Sequence, residues 1–200
     1  MFNSQSAKKG ENKARFVETA EKIDVLSECG IRTGEVLSKK EVHKLGRVHR
    51  AVHLYLFDCS NRLLLQRRSP TTDHYPGKLS ISVTGHVQAG ESSSAAMRRE
   101  FYEELGLHPA DVKIDFLFSF RQDAAINATY IDRQLNDVYM GRADFQVSDL
   151  VLETDAVHEV KLVDWSAFHA MVLEDKEELA PVYARALQDV MYFLEKIKIH

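Results

Sequence analysis

Three glutamates, Glu100, Glu103 and Glu104, stand at i, i+3 and i+4 in a segment where Met97, Phe101 and Leu105 recur at helical spacing. On a helix turning about 100° per residue, their carboxylates share one face beside the apolar stripe, at the border of the core. Like charges this close destabilise a helix unless something positive compensates them. Arg99 reaches Glu103 at i+4 but cannot neutralise all three acids. A hard divalent cation with oxygen ligands can, so the chemistry this set would support is Mg2+- or Mn2+-assisted. A solvated acidic face is the plain alternative, and the three glutamates alone leave it open.

The surroundings narrow the choice. Gly85, Glu91, Arg99, Glu100, Phe101, Glu103, Glu104, Gly106 and Leu107 read G-x5-E-x7-R-E-U-x-E-E-x-G-U, where U is a bulky apolar residue. At average composition such a pattern would arise by chance in on the order of one chain in a million or fewer. It resembles the Nudix box, and residues 47 to about 170 are similar to a Nudix hydrolase domain. The resemblance implies an α/β/α sandwich with a mixed β-sheet, here with an N-terminal extension, and an enzyme that hydrolyses diphosphate linkages. It implies Glu100, Glu103 and Glu104 as metal ligands with the Gly85 carbonyl nearby, and Glu103 also in a catalytic role. It further implies that Glu91 and Arg99 brace the loop against the helix by ion pairing. The family often uses one more acid as base, for which Glu159 is the candidate, with Glu153 and Asp155 as competitors.

A second resemblance lies ahead of the box. HKLGRVHRAVHLYLFD, LLLQRRS and PGKLSISVTGH look like the type I isopentenyl-diphosphate isomerases, a Nudix branch. This implies His43, His49 and His86 as further metal ligands. The isomerases' catalytic cysteine falls at Thr84, and their second catalytic acid falls near Asp137. Threonine does not replace a thiol in proton transfer to carbon, because its pKa is far higher. The combined expectation is an isomerase-like Nudix hydrolase acting on a small organic diphosphate. Arg67, Arg68 and Lys78, near the presumed cleft, are candidates to meet its phosphates.

Several elements must position these groups. Lys22–Leu26 alternates as a strand, the 30–34 stretch turns, and Glu35-Val36-Leu37 continues. Ser38 and Glu41 fit a capping box opening a short helix that ends near Gly46. Strands are expected at 47–58, 63–65, 79–85, 112–120, 137–145 and 157–165. The segment from Ser92 to Leu105 is expected as a helix closed by Gly106, a shorter helix as capped by Ser166, and a terminal helix over 181–197. The terminal helix could serve a homodimer interface as well as a core. Phe116, Phe118 and Phe120 alternate on one strand face and read as core.

With 200 residues and 44% hydrophobic content, one domain over 21–200 is expected behind a mobile arm at 1–20. A net charge of −4 gives no basic excess for a nucleic-acid polymer. Cys29 and Cys59 form no CxxC pair, and no apolar run approaches the roughly 18 residues that span a bilayer. A cytoplasmic location is the resulting expectation.

Overall fold

The computed structural model describes residues 21–174, 177–180 and 184–197. The arm expected at 1–20 and residues 181–183, with which the terminal helix was expected to begin, lie outside them. The chain opens with an antiparallel hairpin, β1 (Lys22–Leu26) and β2 (Arg32–Ser38). Ser38 caps α1 (Lys39–Lys44) through the expected box. Its hydroxyl accepts from the Glu41 amide, and the Glu41 carboxylate accepts from the Ser38 amide.

The main sheet contains β3 (His49–Phe57), β4 (Arg62–Arg68), β5 (Leu79–Ser80), β6 (Val83–His86), β7 (Lys113–Asn127), β8 (Tyr130–Arg142) and β9 (Val157–Asp164). β3 runs parallel to β8 and antiparallel to β6, while β4 pairs antiparallel with β5 and β9. The sheet is therefore mixed, with helices on both faces. α2 (Ser93–Leu105) covers one face and α3 (Trp165–Leu173) and α4 (Ala184–Ile197) the other. The alternation of β3 sets both layers. Val52, Leu54 and Leu56 pack with Met97, Phe101 and Leu105 of α2. Tyr55 and Phe57 point the other way, toward Phe168, Leu187 and Val190. A one-residue slip would exchange the layers, so the core fixes the register. At α2, the Ser92 hydroxyl accepts from the Ala95 amide, and Gly106 takes the left-handed C-cap with φ 69°.

Four expectations change. The strand expected over 79–85 is two strands, because Ser82 interrupts it. Its buried hydroxyl donates to the Leu64 carbonyl at 2.6 Å and accepts from the Leu56 amide at 2.8 Å, joining β3 and β4 where they part. The strands expected at 112–120 and 137–145 form one longer hairpin, β7–β8. Buried Gln122, Asp132 and Asn136 hide it in sequence, since each is polar yet linked to another of the three by a hydrogen bond. Asn136 donates to Gln122 at 2.9 Å, and Gln122 to Asp132 at 3.3 Å. A register shift between Phe116 and Phe118 breaks their shared face. Phe116 is 54% exposed against Tyr139, while Phe118 stacks on Phe193 of α4. Finally, Asp164 rather than Ser166 precedes α3 as its N-cap.

Candidate active site

Beside α2 lies a cleft of about 670 Å³, walled by the end of β6, the loops after β4 and before β9, and the start of β1. Glu100, Glu103 and Glu104 all line it, together with Gly85 and Arg99. Glycine at 85 has a steric cause, because a Cβ there would overlap the Glu100 carboxylate. Glu104 is 5% exposed and accepts from the Gln66 amide at 3.2 Å. Arg99 donates to both oxygens of Glu91 at 3.0 and 3.1 Å, to Glu100 at 2.8 Å, to Glu103 at 3.0 Å and to the His86 carbonyl at 3.0 Å. One cation is thus shared among three carboxylates and a carbonyl.

That sharing leaves the cluster electrostatically incomplete. Burial pushes the Glu100 pKa up to about 7 against the opposing pull of Arg99. Burial, reinforced by Glu100, raises the Glu104 pKa well above its ordinary value. Although burial works against its charge, Glu91 and Glu100 hold the Arg99 pKa above its ordinary value. Buried carboxylates held close against repulsion offer an all-oxygen donor set. That set fits a hard divalent cation such as Mg2+ or Mn2+.

Other expected residues separate. Glu153 and Asp155 line the cleft; Glu159 does not. In the antiparallel pairing of β4 with β9, Glu159 lies opposite Arg67, and the two form an ion pair at 2.6 Å that lowers the Glu159 pKa. Arg67 also holds Glu178 at 3.0 Å and the Gly77 carbonyl, and Lys78 donates to the Glu177 carbonyl. Neither cation faces the cleft. Arg68 does, anchored to the His74 carbonyl at 3.0 Å. Burial raises the Glu153 pKa, with Glu103 and Asp155 adding to the shift.

His43, His49 and His86 are brought together, with one ring nitrogen of each lying within 4.8 Å of the others. The Nε2 atoms of His43 and His86 are 3.1 Å apart, and the Tyr130 hydroxyl is 3.1 Å from His43 Nε2. Burial lowers His43 to about 3 and His49 to about 4, leaving the imidazoles neutral with lone pairs available. Among the described residues, buried His43 Nδ1 and Asp132 Oδ1 make no hydrogen bond, although they are 3.5 Å apart. Asp132 is an acid that the sequence reading missed. Asp137 is elsewhere, in register with Val52 on the α2 side and bound by Arg50 at 2.7 Å and Ser119 at 2.5 Å.

The cleft also takes Glu21, Lys22 and Lys39 from the N-terminal extension, and Thr71, Thr72, Asp73 and His74 from the loop after β4. Lys39 had a readable signal: it precedes His43 by four residues on a capped helix, so both share a face. Nothing local marks Lys22 or Asp73, whose position depends on distant pairing.

A carboxylate helix capped at both ends is laid on a mixed sheet and faces bare glycine backbone, an arrangement whose oxygen donors a hard divalent cation would fit. The comparisons with known proteins give that arrangement its family. The NUDIX domain model matches residues 47–189, and the chain belongs to this family, in the branch that includes the isopentenyl-diphosphate isomerases. Nudix hydrolase 3 of Arabidopsis thaliana is 33% identical over 165 residues, covering 80% of this chain and 21% of that protein. Isopentenyl-diphosphate Delta-isomerase of Serratia proteamaculans is 36% identical over 107 residues, 54% of this chain and 58% of that one. The chain thus spans about a fifth of the first relative and less than two thirds of the second. A crystal structure from Deinococcus radiodurans shares the fold with a TM-score of 0.68 at 24% identity, covering 84% of this chain and 98% of that one. No described helix is long and apolar enough to cross a membrane.

Proposed function

We propose that this chain is a Mg2+- or Mn2+-dependent hydrolase that cleaves a diphosphate linkage in a small organic molecule by attack of water on phosphorus. The observation that carries the reading is the convergence of Glu100, Glu103 and Glu104 on one cleft, opposite the Gly85 backbone. A divalent ion held by these carboxylates and the Gly85 carbonyl would neutralise diphosphate charge and activate water. Arg68 and Lys39, both lining the cleft, bind the phosphate oxygens. Glu153 takes the proton of the attacking water, because it lines the cleft and its raised pKa makes it a better proton acceptor than an ordinary exposed carboxylate. This role passes to Glu153 from Glu159, which is bound to Arg67 outside the cleft. Glu153→Gln should cut turnover by about 10²- to 10⁴-fold, and Glu159→Gln should leave it within about threefold of wild type. The reverse order would return the base to Glu159.

The buried His43–His49–His86 cluster favours a second reading, diphosphate isomerisation, as in the isomerase relatives. Thr84 lines the cleft where that chemistry requires an acid that titrates near neutrality. Both readings are separated by one assay. Protein and Mg2+ are incubated with a panel of diphosphates, following phosphate release, and with isopentenyl diphosphate, following proton NMR. Hydrolysis without isomerisation is expected. Dimethylallyl diphosphate appearing at enzymatic rates would overturn the hydrolase reading, as would no metal-dependent hydrolysis of any diphosphate.

A further inference from the structure

The family match begins at residue 47, yet β1 and β2 lie against the loop that leads into α2. Ile23 forms an antiparallel bridge with Gln88, and the Ala89 amide donates to the Lys22 carbonyl at 2.8 Å. One residue further, the Gly90 amide donates to the Asp24 carboxylate at 2.9 Å. Arg32, across the hairpin, pairs with that same carboxylate at 3.0 Å and donates to the Glu91 carbonyl at 2.6 Å. Residues 89–91 are therefore held from outside at three consecutive positions.

The hold continues inward. The Glu91 carboxylate accepts from the Gln88 amide at 3.1 Å and from Arg99, and Arg99 in turn fixes Glu100 and Glu103. Gly90 has φ 81°, a left-handed conformation that a free loop has no reason to keep. We propose that Arg32 and Asp24 are positioning residues for the metal-binding carboxylates, acting through Gly90, Glu91 and Arg99. The N-terminal hairpin is thereby a working part of the site, although it lies outside the family domain. Partners that hydrogen-bond a metal's ligands shape its affinity by holding them in place; Arg99 is such a partner of Glu100 and Glu103, and Arg32 acts on it through Glu91. The guanidinium fork makes Arg32 suited to the task, because it binds the Asp24 carboxylate and the Glu91 carbonyl with separate N–H groups.

This inference rests on the metal reading of Glu100, Glu103 and Glu104, so its test reads metal binding without substrate. Mn2+ is titrated into wild type, Arg32→Ala, Arg32→Lys and Glu28→Gln by electron paramagnetic resonance. Glu28→Gln removes a different hairpin contact, to Arg121 and Arg133, and reports mere loosening. Arg32→Ala should weaken Mn2+ by roughly 3- to 10-fold, below the loss typical of a directly hydrogen-bonded partner. Arg32→Lys should fall between it and wild type, since a point charge cannot serve both acceptors. Glu28→Gln should match wild type. Turnover with Mg2+ should fall in Arg32→Ala while the substrate KM holds within about twofold. Asp24→Asn, read by hydrogen exchange at the Gly90 amide without metal, covers the case in which Arg32 variants fold poorly; faster exchange there is expected. Mn2+ affinity within twofold of wild type in Arg32→Ala, equal losses in Glu28→Gln, full restoration by lysine or unchanged Gly90 exchange would each overturn the proposal. Wild type that binds Mn2+ but hydrolyses nothing would sink only the hydrolase reading; wild type that binds no Mn2+ would sink both.

Discussion

Gly85→Ala separates the fold from the site more cleanly than any other single change. Gly85 is not among the glycines with positive φ, so alanine meets no backbone strain there. The change would itself stabilise the fold by about 0.4–1 kcal/mol through the unfolded chain. Its methyl group, however, occupies the space of the Glu100 Cγ, Cδ and Oε1 atoms, and the carboxylate must retreat by more than an ångström to restore ordinary contact. The retreat breaks the 2.8 Å bond from Arg99, a charge-assisted contact worth roughly 1.5–3 kcal/mol. The net cost is about 1–2 kcal/mol, which for a chain of this size lowers Tm by roughly 2–8 °C. Misplacing a ligand by an ångström costs about 10²-fold in rate. Calorimetry and metal-dependent phosphate release, run on the same sample, should therefore show a nearly intact fold and a crippled enzyme. Turnover within threefold of wild type would refute the claim that bare backbone at 85 exists for Glu100. A Tm loss far beyond 10 °C would refute the claim that the carboxylate is free to move.

Three more outcomes follow from the same geometry. Glu104→Gln keeps the shape of a buried acid whose charge burial opposes, so metal-free Tm should hold or rise while turnover drops roughly 10²-fold or more; turnover within threefold would remove Glu104 from the ligand set. Arg99→Ala releases Glu91, Glu100, Glu103 and the His86 carbonyl together, and urea melts should show a loss of roughly 2–4 kcal/mol; a loss under 1 kcal/mol would mean the brace is dispensable. His53, packed against Phe120, has its pKa lowered by burial to about 4. A depressed pKa means that the unfolded chain binds the extra proton first, so stability present above about pH 6.5 is lost as pH falls toward 4. Between pH 7 and 5 this group alone should cost up to about 2 kcal/mol, less to the extent that the half-buried ring reaches water. His53→Gln should flatten that part of the urea-midpoint profile, and an unchanged slope would exclude His53 as its source.

The most legible part of this chain was α2. Its spacing, its Ser92 and Gly106 caps and the acids on one face are all local, and every one is where the periodicity puts it. The β7–β8 hairpin was legible only where apolar residues alternate. Gln122, Asp132 and Asn136 fall between the strands expected at 112–120 and 137–145, because burial of polar groups depends on partners across the strand, which no window along one strand contains. The same limit explains Glu159. Its place on a late strand was visible, but not that antiparallel register sets it opposite Arg67 while the loop acid Glu153 enters the cleft. Lys22 and Arg32 stand on a hairpin with no local mark of metal chemistry, and only distant pairing brings Lys22 to the cleft and Arg32 to the Glu91 carbonyl.

Ser82 carries a consequence for how substitutions will be tolerated. Interior positions usually accept an exchange of one apolar side chain for another of similar volume, and hydrophobicity is a fair guide to what survives. At Ser82 the guide reverses. Valine would fill the space, yet it would strand the Leu56 amide and the Leu64 carbonyl without a partner, at a cost of about 1–3 kcal/mol for each. The damage would not stay at the seam, because β6 runs directly from there through Thr84 to the Gly85 backbone against which Glu100 lies. A survey of random variants should therefore find this small buried polar residue among the least replaceable of the sheet, with activity disappearing at substitutions that an apolar core would ordinarily welcome.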